Sequence, residues 1–223
     1  MRGKDRALLA VVLVAGLLLA AGYMGYMLLT RQLMLGNKEN MGMQVTIVYT
    51  DGSTWTIDSQ KYPLEATIID PANQGREVSY IKIELYMTPT FTAPIIGYSV
   101  TGTVRCYIID QVTNNRIYDT GQKPLEPLKP LPTLTSGQAV VITGATITAE
   151  QLEQLYGSWV SGRSYQLVWQ VDSFSVTLNF ADGHSETKAA QNLPLQMQWT
   201  FTYKSTEYFQ SISVSFNRVI GYK

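Results

Sequence analysis

Residues 7–29 read ALLAVVLVAGLLLAAGYMGYMLL, an apolar run with no charged side chain. Inside a bilayer the backbone must satisfy its own polar groups, so a run like this crosses as a helix. As a helix it reaches about 35 Å at roughly 1.5 Å per residue, enough for a hydrocarbon core of about 30 Å. Arg2, Lys4 and Arg6 precede it, with Asp5 the only acid among them, while Arg31 and the Lys38-Glu39 pair follow. The basic bias predicts an N-terminus inside and the rest of the chain outside, at a cell surface or on a virion membrane. Tyr23 and Tyr26 fall near the far end, where an interfacial aromatic belt sits. A lipid membrane is therefore an expected partner, and the run is expected to be a signal anchor.

A cleaved secretory signal has a shorter apolar core, about 7–15 residues, and Ala20-Ala21-Gly22 makes a poor cleavage site. A lipoprotein would need a cysteine here, and the run has none. Gly16 and Ala20, and likewise Ala21 and Gly25, place small residues one helical turn apart. These four are the candidate positions for packing against another membrane helix.

The expected organisation is a basic head at 1–6, the membrane helix at 7–29, a linker at 30–42 and an ectodomain at 43–223. The ectodomain has 223 − 42 = 181 residues, enough for a good-sized core, with a sub-boundary at the proline-rich stretch 123–137. Only 15% of residues are charged and the formal net charge is zero. No basic patch exists to neutralise phosphates, so nucleic acid is excluded as a partner.

Period-two alternation dominates the ectodomain. Segments 43–49 and 54–58 flank Asp51-Gly52, a hairpin turn signal. In 78–87, Ile81, Ile83, Leu85 and Met87 face one way and Tyr80, Lys82, Glu84 and Tyr86 the other. Segment 95–110 is long, and Gly97 and Gly102 predict a bend or bulge within it. Further strands are expected at 139–147, 165–172, 174–180, 195–204 and 208–216. In the last, Ile212, Val214 and Phe216 should face in, against Ser211, Ser213 and Ser215. One short helix is expected after Thr148, where Thr148-Ala149-Glu150-Gln151 has capping-box spacing and Gly157 is placed to close it. Leu152, Leu155 and Tyr156 would be its buried stripe.

The stretch 45–53 (VTIVYTDGS) echoes 176–184 (VTLNFADGH). Two hairpins obeying one turn chemistry explain the echo better than a tandem duplication. In 123–132, KPLEPLKPLP, Pro124, Pro127 and Pro130 recur with the three-residue period of polyproline II, and Pro132 follows. Leu125, Leu128 and Leu131 share that period. The stretch is expected to be a stiff strap over the domain surface, and its prolines are the candidate positions for docking on a neighbouring subunit.

The residues offer little chemistry. Cys106 is the one cysteine and shares a face with Val104 and Ile108, so it reads as a core thiol. His184 is the one histidine and sits in a turn, so zinc or copper sites of ordinary composition are out of reach. No nucleophile elbow, calcium loop or phosphate-binding glycine loop is present. Asp58, Asp70, Glu84, Asp110, Asp119 and Asp172 would each serve better at a strand end or turn than as a catalytic pair. Gly75-Arg76 and Gly162-Arg163 read as turn residues. No cofactor and no enzymatic activity are expected.

The layout of one anchor followed by a Tyr-, Thr- and Gln-rich β-domain resembles membrane-anchored surface proteins of thermophilic archaea. It also resembles structural proteins of archaeal icosahedral viruses with an internal membrane. The resemblance implies an all-β fold: an antiparallel sandwich, jelly-roll or immunoglobulin-like, with one short helix. It implies a non-catalytic role in a shell of the capsid vertex or minor capsid type. Partners would be other copies of the chain or other shell and membrane proteins. Arg6-Ala7-Leu8-Leu9 also resembles the processing site of archaeal pilins, although Val12 stands where most pilins carry Glu. A pilin-like filament subunit and an anchored accessory or binding subunit are the alternatives.

Overall fold

The computed structural model describes residues 41–61, 67–68, 76–91, 93–155, 157, 159–189, 195–205 and 208–218. The apolar run 7–29, with Gly16, Ala20, Ala21 and Gly25, lies outside them. Among the described residues no helix is long and apolar enough to cross a membrane.

The described chain is mostly antiparallel β-sheet with one short helix. The strands are β1 (Met41–Tyr49), β2 (Thr54–Asp58), β3 (Thr67–Ile68), β4 (Glu77–Met87), β5 (Ile95–Asp110) and β6 (Arg116–Asp119). They continue with β7 (Lys123–Pro124), β8 (Val140–Thr148), β9 (Ser164–Phe180), β10 (Ser185–Ala189), β11 (Leu195–Ser205) and β12 (Tyr208–Arg218). The helix α1 (Ala149–Leu155) lies between β8 and β9.

Two branches meet at one corner. The first is β2-β1-β4-β8, and the second is β12-β11-β9-β5-β6. Strand β4 holds β1 along one edge. Its other edge is shared: β12 pairs at Glu77 and Val78, and β8 pairs from Tyr80 to Met87. The branches therefore part just beyond Val78. Inward residues of both contribute to one buried cluster, including Val45, Ile83 and Leu85 from the first and Leu167, Met197 and Phe201 from the second.

Alternation predicts most of this burial. Ile81, Ile83, Leu85 and Met87 are fully buried, as are Met197, Trp199 and Phe201 on β11. Tyr86, on the opposite face, is buried as well. Its ring lies across Gly42, where a Cβ would come within 2.1 Å of it, and its hydroxyl donates to Asp58 at 2.6 Å.

Three local expectations need correction. Segments 165–172 and 174–180 form a single strand, β9, that bends without stopping. Thr103 pairs Ser173 while Val104 pairs Val171, leaving Asp172 as an extra residue. This bulge shifts the phase of burial by one, so that both Val171 and Phe174 face in. Gly102 opposes it, and any Cβ there would meet the Ser173 carbonyl oxygen at 2.3 Å. The inward face of β12 also changes phase. Thr200 pairs Ser213 but Phe201 pairs Ser211, so Ser211 turns into the core. Thirdly, α1 ends at Leu155 without Gly157 in the left-handed conformation that would mark a glycine C-cap. Its start is as expected: Gln151 N–H donates to Thr148 Oγ1 at 3.1 Å, and Thr148 N–H to Gln151 Oε1 at 3.0 Å. Leu152 is buried, and Tyr156 lies outside the described residues.

The two echoed hairpins close identically. Gly52 and Gly183 have φ of 81° and 90°, and their N–H groups donate to Tyr49 and Phe180 carbonyls at 3.0 Å. Asp51 and Asp182 accept from the amides of Ser53 and His184. A carboxylate that caps its own turn, followed by a residue able to take positive φ, is sufficient cause.

Candidate functional site

Between the diverging edges of the two branches runs a cleft of about 490 Å³. One wall is β8, through Ala145 and Ile147. The floor and opposite wall come from β5, β6 and β9, through Cys106, Tyr118 and Trp169, with Thr120 just past β6. Helix α1 closes one end with Gln151, Gln154 and Leu155. No lining side chain carries a charge.

The strap closes the other end. Pro124 in β7 pairs Thr103 of β5. Leu125 N–H then donates to the Gly102 carbonyl at 2.8 Å, and Leu128 N–H to the Ile142 carbonyl of β8 at 2.8 Å. Thr143 Oγ1 donates to the Glu126 carbonyl at 2.6 Å. The strap thus ties β5 to β8 across the gap. A second pocket of about 290 Å³ beneath it shares Trp169 and Ala145 with the cleft. Of the three leucines only Leu125 is buried, since Leu128 and Leu131 stay 42% and 40% exposed. Pro124 and Pro130 are exposed, Pro127 and Pro132 partly buried, and the Pro132 carbonyl accepts from Tyr98 OH at 2.7 Å. The strap docks on its own domain.

The thiol of Cys106 is pushed up to about 12, chiefly by burial, and the negative charge of Asp119 adds to the shift. Burial also raises Tyr118. Cys106 is framed by backbone geometry, its N–H donating to Thr120 Oγ1 at 3.0 Å and its carbonyl accepting from Thr120 N–H at 2.9 Å. Both groups stay protonated at neutral pH. The cleft is suited to holding an uncharged group.

The carboxylates are dispersed. Asp58 takes Tyr86, Glu84 pairs Lys82 at 2.7 Å, and Asp110 pairs Arg163 at 2.8 Å. Asp119 is held by Arg105 and Arg116, and Asp172 accepts from Gln170, while Asp70 lies outside the described residues. Arg76 sits 5.6 Å from the centre of the Tyr49 ring and donates to Ser53 Oγ at 2.9 Å. His184 stacks on Phe180 with ring centroids 4.3 Å apart and pairs with Asp182. Among the described residues no group of His, Cys, Asp or Glu is placed to hold a metal ion.

Sequence reasoning identified Cys106 as a packed thiol and placed α1 after Thr148. It missed the cleft, which needs β5, β6, β8 and β9 in one place. The available signal was composition: β8 reads VVITGATIT, nine residues without a charge. Comparison with protein-family models, characterised proteins and solved structures returns no match.

Proposed function

We propose that this chain is a membrane-tethered β-sandwich whose task is assembly, forming part of a cell-surface or virion shell and linking that shell to the membrane. The two branches would be the faces of the sandwich. The carrying observation is the uncharged run 7–29, set just ahead of a β-domain whose first described strand is Met41–Tyr49. Residues 30–40 reach at most about 40 Å when fully extended, which keeps the domain close to the bilayer. The uncharged cleft favours a second reading, an anchored binding or accessory subunit, since it supplies a surface for a partner without supplying chemistry.

Membrane extraction tests the tether. The full chain should stay with membranes through alkaline carbonate and leave only with detergent, whereas a variant lacking residues 1–29 should not pellet with them. Protease added to intact vesicles should reach the domain but spare the N-terminal head. Release of the full chain by carbonate would overturn the tether. Cross-linking in the native membrane, read by mass, separates a shell of copies from a subunit with a different partner.

A further inference from the structure

The geometry points to the open edge of β8 as a strand-addition site for an extended, uncharged peptide segment of a partner polypeptide. This inference requires only the described domain and stands apart from the membrane tether.

Among the described residues β8 pairs with no strand but β4, and its other edge takes a backbone bond only from the strap, at Ile142. Its odd residues Thr143, Ala145 and Ile147 pair in phase with Leu85, Ile83 and Ile81 of β4. On β1, Met43 N–H points away from β4 to Ser59 Oγ at 2.8 Å, so Gln44 turns its backbone groups toward its partner Glu84. Ile83 and its odd neighbours on β4 must then point theirs at β8. Ala145 and Ile147 answer them, and the N–H and C=O of Gly144 and Thr146 face outward. Thr148 N–H confirms the phase by donating outward to Gln151. Among the described residues, Gly144 and Thr146 have no backbone partner on that side.

The other short edge strands are blunted by charge, as edges usually are. Strand β2 ends in Asp58, β6 carries Arg116 and Asp119, and β10 carries Glu186. Strand β8 has no charge and no proline. Its open edge borders the cleft, so a strand laid beside it would send alternate side chains onto Trp169, Tyr118 and Leu155.

What fits the gap is already visible, because the strap fills the adjoining part. It lies extended between β5 and β8 and bonds the backbone of both. A docked segment would continue that pairing toward α1, along about five residues or roughly 17 Å of edge. The cleft itself is lined without charge, Lys123 and Glu126 lining only the adjoining pocket beneath the strap, so a charged side chain entering the cleft would lose its hydration with nothing in return. Backbone pairing supplies affinity and the cleft supplies selectivity, as in other cases of strand addition.

The test uses the full chain in detergent and two capped decapeptides. One alternates Val and Thr; its counterpart carries Lys at alternate Val positions. The uncharged peptide should bind and slow hydrogen exchange at Gly144 and Thr146, while the Lys peptide should not. Thr146→Pro removes the outward donor and should weaken binding by about tenfold or more, whereas Thr146→Val keeps the donor and should change it little. Ala145→Glu, which places a charge in the cleft, gives a second route to the same loss. Unchanged exchange in the β1–β4 pair shows that each variant is folded. Equal binding of both peptides, or wild-type binding by a folded Thr146→Pro, overturns the proposal. Protection of Gly144 and Thr146 that rises with protein concentration alone also overturns it, by giving the edge to a second copy.

Discussion

The indole Nε1 of Trp199 donates to the hydroxyl of Ser211 at 3.1 Å, and both residues are almost wholly buried. The bond exists because the irregularity in β12 turns Ser211 inward at the place where Trp199, the bulkiest side chain of β11, needs an acceptor. Removing that hydroxyl leaves a buried N–H without this partner, a cost of about 1–3 kcal/mol. Ser211→Ala should lower the urea midpoint accordingly. In a Trp199→Phe background the same change should cost much less, and equal losses in both backgrounds would show that the pair is not coupled.

Gly102 and Gly97 lie on the same strand and make opposite predictions. A Cβ at Gly102 meets the Ser173 carbonyl at 2.3 Å, whereas at Gly97 its nearest neighbour is the Asn179 side chain at 3.9 Å. Gly102→Ala must push β5 and β9 apart at the bulge, so a loss of about 1–3 kcal/mol is expected. Gly97→Ala should be neutral or slightly stabilising, because it restricts the unfolded chain. Thermal melts of the two variants side by side check the contrast.

That contrast also shows how far the sequence could be read. Both glycines mark a bend when seen as letters, and only the structure tells which one another backbone touches. Strand periodicity, the Asp-Gly turns and the Thr148 cap are local signals, and they were legible because their causes lie within a few residues. The phase change at Ser211 and the continuity of β9 through Asp172 depend on partner strands far away in sequence. The cleft was hidden for the same reason: Ala145 and Cys106 become neighbours of one space only after the strap ties β5 to β8.

Asp119 and Asp110 contribute to the response to acid, beside the turn carboxylates Asp51 and Asp182, which are lowered as well. Hydrogen bonds from Arg105 lead in holding the Asp119 carboxyl well below its ordinary range, with Gly121 N–H and Arg116 adding to them against burial. Burial pushes Asp110 up, but the amides of Val112 and Thr113 and the Arg163 guanidinium together bring it below. A carboxylate depressed in the folded state stabilises the fold above its unfolded pKa of about 3.9, and that stability is lost as pH falls through the folded value. Stability should therefore be flat from neutral pH to about 5 and decline below about 4. Asp119→Asn should lower the neutral plateau by no more than about 1 kcal/mol, since both arginine partners are partly exposed, and should flatten the acid decline. Urea titrations across pH test both. An unchanged acid slope would mean that these ion pairs persist in the unfolded chain.

Cys106 reports on the cleft itself. With the thiol raised to about 12, chiefly by burial, the thiolate is far scarcer at neutral pH than on a free cysteine. The thiolate is the nucleophile, so a disulfide reagent should modify the folded chain slowly and react at an ordinary rate once urea unfolds it. Cys106 also borders the space where a peptide would dock beside β8, which makes the two experiments comparable. A bound uncharged peptide should slow the residual labelling further without changing the unfolding midpoint at low occupancy. Labelling that is fast in the folded chain would mean that the two walls of the cleft, Ile147 on one side and Tyr118 and Thr120 on the other, part on the timescale of the reaction. Labelling that is slow but indifferent to the peptide would separate the thiol from the docking space.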